Sequence, residues 1–366
     1  MSVVVSKSSP EVIRPPEPLK TTTTAIESIK RALSQALVLY YPLAANGDEF
    51  SIHCTGEGVE FITASVDYGL QEAKIFGEST GAKALLDELA IFYPAAGSYG
   101  SSDDEPLLLL QVTKFSCGGL VLGVTWNHAV ADGAGITQFL TAIGELACGL
   151  DEAVSNFSDP LPDPIQQAML MCPDPTDMDR IVPIDITIPS VLINRVKAES
   201  RGCFDGQPCT SFDVVLAVLW RTNVRKRVGA KDGYYGNCIT IELLAGATSG
   251  MVAKASIVEL VRMIKCAKDQ LGDNVNGSCN DGDQLMEGLR RRYDVMHMAS
   301  WRNMGLEQVD FGSGAPARVM FHARQPGAPV PTYFMYPSCK GKDGVKLLSL
   351  AVKEEHADVF LGELEN

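Results

Sequence analysis

The chain has 366 residues, 46% of them hydrophobic and 21% charged, the make-up of an ordinary globular protein with room for about two domains. That composition excludes the disordered, collagen-like and long coiled-coil classes. Against 45 Asp and Glu stand 31 Lys and Arg, a formal net charge of −14, so the mean surface repels nucleic acid and anionic membranes, and no such partner is expected.

Predicted elements follow in chain order. The N-terminal stretch MSVVVSKSSPEVIRPP has no long apolar core, so a signal peptide is not expected. From Ala25 to Tyr40, apolar residues fall at Ile26, Ile29, Leu33, Ala36, Leu37 and Tyr40; that spacing predicts a helix, stopped by Pro42. Val59–Ala64, Leu107–Thr113 and Leu120–Trp126 are short apolar runs bounded by turn residues and read as strands. Between Lys114 and Glu145 lie thirty residues whose one charged side chain is Asp132. This stretch reads as a buried strand ending near Trp126, a tight turn, and a buried helix with Ile136, Phe139, Leu140, Ile143 and Leu146 at helical spacing. Asp151 to Asp179 holds seven acidic residues, five prolines and no Lys or Arg, a pattern that neither helices nor central strands tolerate. It reads as an inter-domain linker. Beyond it, Thr210-Ser-Phe-Asp213 ahead of Val214–Trp220 resembles a capping box opening a helix. Met251–Lys268 and Gln284–Met298 read as helices, and Val309, Ala317–His322, Thr332–Tyr336 and Val345–Val352 as strands.

The expected organisation is an α/β protein of two lobes with largely mixed sheets: an N-terminal lobe over 1–150, a Pro/Asp-rich crossover linker over 151–185, and a C-terminal lobe over 186–366. The ten cysteines contain no Cys-x-x-Cys pair, which predicts free thiols, no metal site and a cytoplasmic location.

His128 and Asp132 sit in the turn between two buried elements, where a polar group needs a partner or a purpose. Asp132 precedes Gly133-Ala-Gly135 and could act simply as a helix N-cap; His128 could be a core histidine bonded to a carbonyl. Their surroundings point further. The string Trp126-Asn-His128-Ala-Val-Ala-Asp132-Gly133 resembles the HxxxDG signature of the BAHD acyltransferases, plant enzymes that move acyl groups from coenzyme A to alcohols or amines. Downstream, Asp310-Phe311-Gly312-Ser313-Gly314 resembles the family's D-F-G-W-G, with Ser313 in the place of Trp. Tyr234-Tyr235-Gly236-Asn237 looks like its Y-F-G-N element, Tyr40-Tyr41-Pro42-Leu43-Ala44 like Y-Y-P-L-A-G, and Thr210–Asp213 with Trp220-Arg221 like another. The run QVTKFSCGG ahead of the histidine is most similar to the alcohol-acylating branch.

The resemblance implies a two-lobed chloramphenicol-acetyltransferase-like fold with an active-site channel at the lobe interface, the first lobe carrying HxxxD and the second YYGN and DFGSG. It implies His128 as general base, no covalent acyl-enzyme, and acyl-CoA as co-substrate with no cofactor. Asp132 would pair with an arginine, Arg225 in Asn223-Val-Arg225, to hold the histidine turn. Gly236 and Asn237 would lie near bound CoA, and Asp310, Gly312 and Gly314 would form a shaped turn. Lys254, Arg262, Lys265 and Lys268 on one helix are candidates for the CoA phosphates or a solvated face. The partners are an acyl-CoA and a small alcohol or amine, taken up by a monomer. The chain also departs from the family: Leu-Ser-x-x-Asp is missing after Pro18, and Arg221-Thr-Asn223 joins segments that a strand normally separates. These internal deletions and Ser313 carry the alternative reading, a catalytically impaired member that binds a ligand or partner.

Overall fold

The computed structural model describes residues 5–13, 24–47, 52–54, 56–73, 85–93, 105–128, 130–150, 181–202, 209–216, 222–223, 239–240, 255–274, 297–322, 332–353 and 357–358. They form two units: the first within 5–150 and 303–322, the second within 181–223, 239–302 and 332–358.

In the first unit, strands β1 (Ser6–Lys7) and β2 (Glu11–Ile13) precede helix α1 (Ala25–Leu39). The Thr24 hydroxyl caps α1 by accepting from Glu27 N at 3.4 Å, and Ile29, Leu33, Ala36 and Leu37 make its buried stripe, as their spacing requires. Pro42 sits at the start of a 3-10 turn, Tyr41–Ala44, where its fixed φ is no obstacle. Strands β3 (Asn46–Gly47) and β4 (Ile52–His53) pair antiparallel, and β3 also pairs with β6 (Glu105–Pro106). The main sheet is built on β5 (Val59–Val66), which pairs antiparallel with β1 and β2 and parallel with β7 (Leu108–Phe115). Next, β7 pairs antiparallel with β8 (Leu120–Trp126). From Leu108 to Thr113 every β7 side chain is buried, which is why the strand is mostly apolar and shows no alternation of buried and exposed positions. Helix α2 (Gly133–Ala147) follows β8 and packs on α1.

The face of β7 and β8 that holds Gln111, Gly123 and Thr125 is crossed by residues 85–93. Gln111 donates to Glu88 O at 2.7 Å, and the Thr125 hydroxyl donates to Ile91 O at hydrogen-bond range. A Cβ on Gly123 would stand 2.3 Å from Leu89 O, so only glycine lets the crossing segment lie this close. Leu85 and Leu89 bury themselves with Val66 and Phe115.

In the second unit, β9 (Ile181–Ile188) leads into helix α3 (Ser190–Glu199) and the short helix α4 (Ser211–Leu216). A two-residue pair, β10 (Thr222–Asn223) with β11 (Ile239–Thr240), precedes helix α5 (Ile257–Asn274). Strands β12 (His297–Ser300), β13 (Thr332–Tyr336) and β14 (Val345–Lys353) complete a sheet of order β12-β13-β14-β9, parallel at its first pair and antiparallel thereafter. Ile193 and Val196 of α3, Val214 of α4, and Val261 and Ile264 of α5 cover Ile186, Tyr333, Met335, Val345 and Leu347. Those sheet residues include i, i+2 pairs, which put one strand face under the helices.

Several sequence expectations change. Strand β9 starts inside the range given to the linker, and its partner is β14, 172 positions further on by the pair Ile181 and Lys353, with the register shifting by one position at an irregularity between Ser349 and Val352. The capping box of α5 sets its start at Ile257 rather than Met251: Ser256 N donates to Glu259 Oε2 at 2.7 Å, and Glu259 N to Ser256 Oγ at 3.3 Å. His297 and Met298, expected in a helix, are strand; the rest of that expected helix and Asp151–Asp179 lie outside the described residues. Ala317–His322 is irregular rather than strand. Residues 303–322, placed by the sequence reading in the second lobe with DFGSG, group with the first unit.

Candidate active site at the histidine turn

Strand β8 ends at Trp126 and α2 starts at Gly133, so the turn must reverse the chain within a few residues. Asn127 N donates to Leu107 O at 2.9 Å, and Val130 N to Asn127 O at 3.1 Å. Asp132 then adopts extended backbone (φ −84°, ψ −177°), and its carboxylate accepts from Gly135 N at 2.9 Å. It is only 3% exposed. A buried carboxylate is tolerated at that place because the free N–H groups and positive end of α2 face it. His128, four residues earlier, is exposed. The N-cap reading of Asp132 is therefore correct, and the reading of His128 as a core histidine is not.

Two features that sequence reasoning passed over brace the turn and the helix it opens. The Trp126 indole Nε1 donates to Ala131 O at 2.9 Å, and its ring centroid lies 6.3 Å from that of His128 at an interplanar angle of 31°. Tyr40, fully buried at the end of α1, accepts from Gln138 Nε2 at 3.1 Å and packs edge-on against Phe139 at 5.2 Å. The Tyr40–Ala44 string thus acts on α2, a link that spacing alone cannot reveal because 98 residues separate Tyr40 from Gln138. A polar glutamine in an apolar strand was the available signal for Gln111.

The Asp310–Gly314 segment lies on the far half of α2. A Cβ on Gly144 would come within 2.6 Å of Asp310 O, and Cys148 Sγ donates to that same oxygen at 3.4 Å. Asp310 Oδ1 accepts from Gly312 N at 2.8 Å, Ser313 N at 3.0 Å and Gly314 N at 2.7 Å. Gly312 and Gly314 have φ of 90° and 91°, the left-handed region that glycine enters without steric cost. The segment is a loop wound around its own carboxylate. Ser313 is exposed.

Arg225, Gly236, Asn237 and Lys254 lie outside the described residues, as does the side chain of Lys268. Arg262 is exposed, in keeping with either reading of its helix face. Lys265 is not: its side chain is 13% exposed and its Nζ is 3.5 Å from Asp213 Oδ2, itself 1% exposed. Asp213 Oδ2 also accepts from Thr210 N at 2.8 Å, and Asp213 N donates to Thr210 Oγ1 at 3.0 Å, closing the capping box read from the sequence. Lys265 thus completes a buried polar cluster and is not held out for a phosphate.

Comparison with known proteins agrees with the motif strings. The Transferase family profile matches residues 12–232 and 223–365. Acyl transferase 15 of Oryza sativa subsp. japonica is 33% identical over 443 positions, covering 100% of this chain and 98% of that protein. Taxadien-5-alpha-ol O-acetyltransferase of Taxus chinensis is 28% identical, with 91% of this chain and 82% of that protein covered. Among solved structures, Vinorine Synthase superposes with a TM-score of 0.74 at 20% identity, covering 99% of this chain and 98% of that one. F. sporotrichioides TRI101 complexed with Coenzyme A and T-2 gives 0.59 at 16%, covering 97% and 95%. The two-unit α/β architecture is the chloramphenicol-acetyltransferase-like fold of those structures. The chain belongs to the Transferase family, the plant BAHD acyltransferases, and is an acyl-CoA-dependent acyltransferase of that class. The alignment with the rice protein runs 77 positions beyond the 366 residues of this chain, which supports internal deletions. The profile's two matches overlap at 223–232, next to the junction read at Arg221-Thr-Asn223.

Proposed function

We propose that this acyltransferase moves an acyl group from acyl-CoA to the hydroxyl, or amine, of a small acceptor, with His128 as general base and no covalent acyl-enzyme. The observation that carries the reading is the contrast within the turn: the imidazole of His128 is exposed, whereas the carboxylate of Asp132 is buried and engaged with the first turn of α2. Only one of the pair is available to a substrate.

The chemistry asks for little more. A thioester carbonyl is electrophilic, an alcohol at neutral pH is a poor nucleophile, and histidine titrates in the useful range without special tuning. A ring nitrogen of His128 takes the acceptor proton as the acceptor oxygen or nitrogen bonds to the thioester carbon. The tetrahedral oxyanion then collapses, the carbon–sulfur bond breaks, and the imidazolium returns its proton to the departing CoA thiolate. Asp132 fixes the turn, with Arg225 as its ion partner; Gly236 and Asn237 contact CoA; Asp310, Gly312 and Gly314 shape the loop against α2. Acyl-CoA is a co-substrate, and the working unit is a cytoplasmic monomer. Free thiols at Cys54, Cys117, Cys148, Cys209, Cys266 and Cys339 support that compartment. Among the described residues no helix is long and apolar enough to cross a membrane.

The test is a panel of acyl-CoAs and alcohols or amines incubated with the purified protein while free thiol is followed. Acceptor-dependent thiol release supports the reading. The missing positions and Ser313 favour the second reading, an impaired member that binds without turnover. That reading is the one supported by folded protein that binds CoA and releases no thiol with any pair.

A further inference from the structure

We propose that Trp126 is a positioning residue for the acyl-transfer reaction, its indole bracing the turn that presents His128; this rests on the reading of His128 as the base. The turn has one anchor at its end, the Asp132 carboxylate on Gly135 N at 2.9 Å. A second one crosses it. Trp126 leaves β8 and sends its indole N–H over the turn to Ala131 O at 2.9 Å, one residue before the cap. The turn residues from Asn127 to Val130 are therefore tied at both ends, and His128 lies among them. The same ring flanks the imidazole, with centroids 6.3 Å apart and planes 31° from parallel, limiting the swing of the base on that side. Trp126 does not touch the reacting atoms; it acts through the histidine. Its effect falls on the geometry of proton transfer, where misplacement by about 1 Å costs up to about a hundredfold in rate.

Trp126→Phe keeps an aromatic ring and deletes the donor. With a productive acyl-CoA and acceptor pair, kcat is expected to fall about tenfold while both KM values stay within about twofold. A variant that is folded with kcat within about twofold of the parent overturns the proposal. If the variant does not fold, the full-length parent decides. Its three tryptophans give three indole N–H signals in nitrogen-15 spectra, assigned by replacing Trp220 and Trp301 singly. The Trp126 proton is expected to exchange with deuterium at least about tenfold more slowly than a free indole; unprotected exchange overturns the proposal. Retained turnover in His128→Ala would instead remove the base reading, and the exchange measurement separates the two failures.

Discussion

At the residue scale, Asp132 and Lys265 show how burial decides what a charge does. Asp132 accepts the Gly135 N–H at the mouth of α2. Asn caps a helix nearly as well as Asp, whereas Ala does not cap at all. Asp132→Ala is therefore expected to lower stability by about 1 kcal/mol or more and to reduce turnover as well, with Asp132→Asn milder in stability; thermal melts and thiol release measure both. Full stability with lost turnover in the alanine variant would make Asp132 a direct participant. Lys265 was a phosphate candidate by sequence, because a helix lysine reads the same whether it faces solvent or a buried carboxylate further back in the chain. Its ion pair with Asp213 predicts that Lys265→Met destabilises by about 2 kcal/mol, since a buried carboxylate loses its cation. The KM for acyl-CoA should change less than about threefold, and a large rise would restore the phosphate role.

At the element scale, the strand–turn–helix carrying His128 was legible because its signals are local. The apolar run of β8, the glycines after Asp132 and the helical spacing of α2 lie within thirty residues. Helix α1 was readable for the same reason. What grips those elements was not. Tyr40 reaching Gln138, residues 85–93 crossing Gly123, and Asp310 lying on Gly144 are contacts between segments far apart in sequence. Strand β9 was missed because it follows an acidic, proline-rich stretch and its pairing partner is distant. Gly144 turns one such contact into a test with an unusual sign. Gly→Ala inside a helix ordinarily stabilises by about 1 kcal/mol, but here the added Cβ would stand 2.6 Å from Asp310 O. Gly144→Ala is expected to destabilise by about 1–3 kcal/mol in chemical denaturation, as overpacking against backbone does. A neutral or stabilising result would mean that the DFGSG loop does not lie on α2.

At the scale of the whole molecule, the division of labour along the chain is not the division of units. The DFGSG loop comes late in sequence yet groups with the histidine unit, and no composition signal marks its return. For the proposed monomer, light scattering is expected to give a mass near 39.4 kDa; twice that would replace the monomer. The family and its fold stand on matches along the chain, but the exposed imidazole above a buried cap is what makes acyl transfer concrete. The most direct test is the His128→Ala variant assayed for thiol release beside the parent, with a pair on which the parent is active. The account predicts a fall of about a hundredfold or more with the fold intact; a folded variant that keeps turnover within a few-fold of the parent would contradict it.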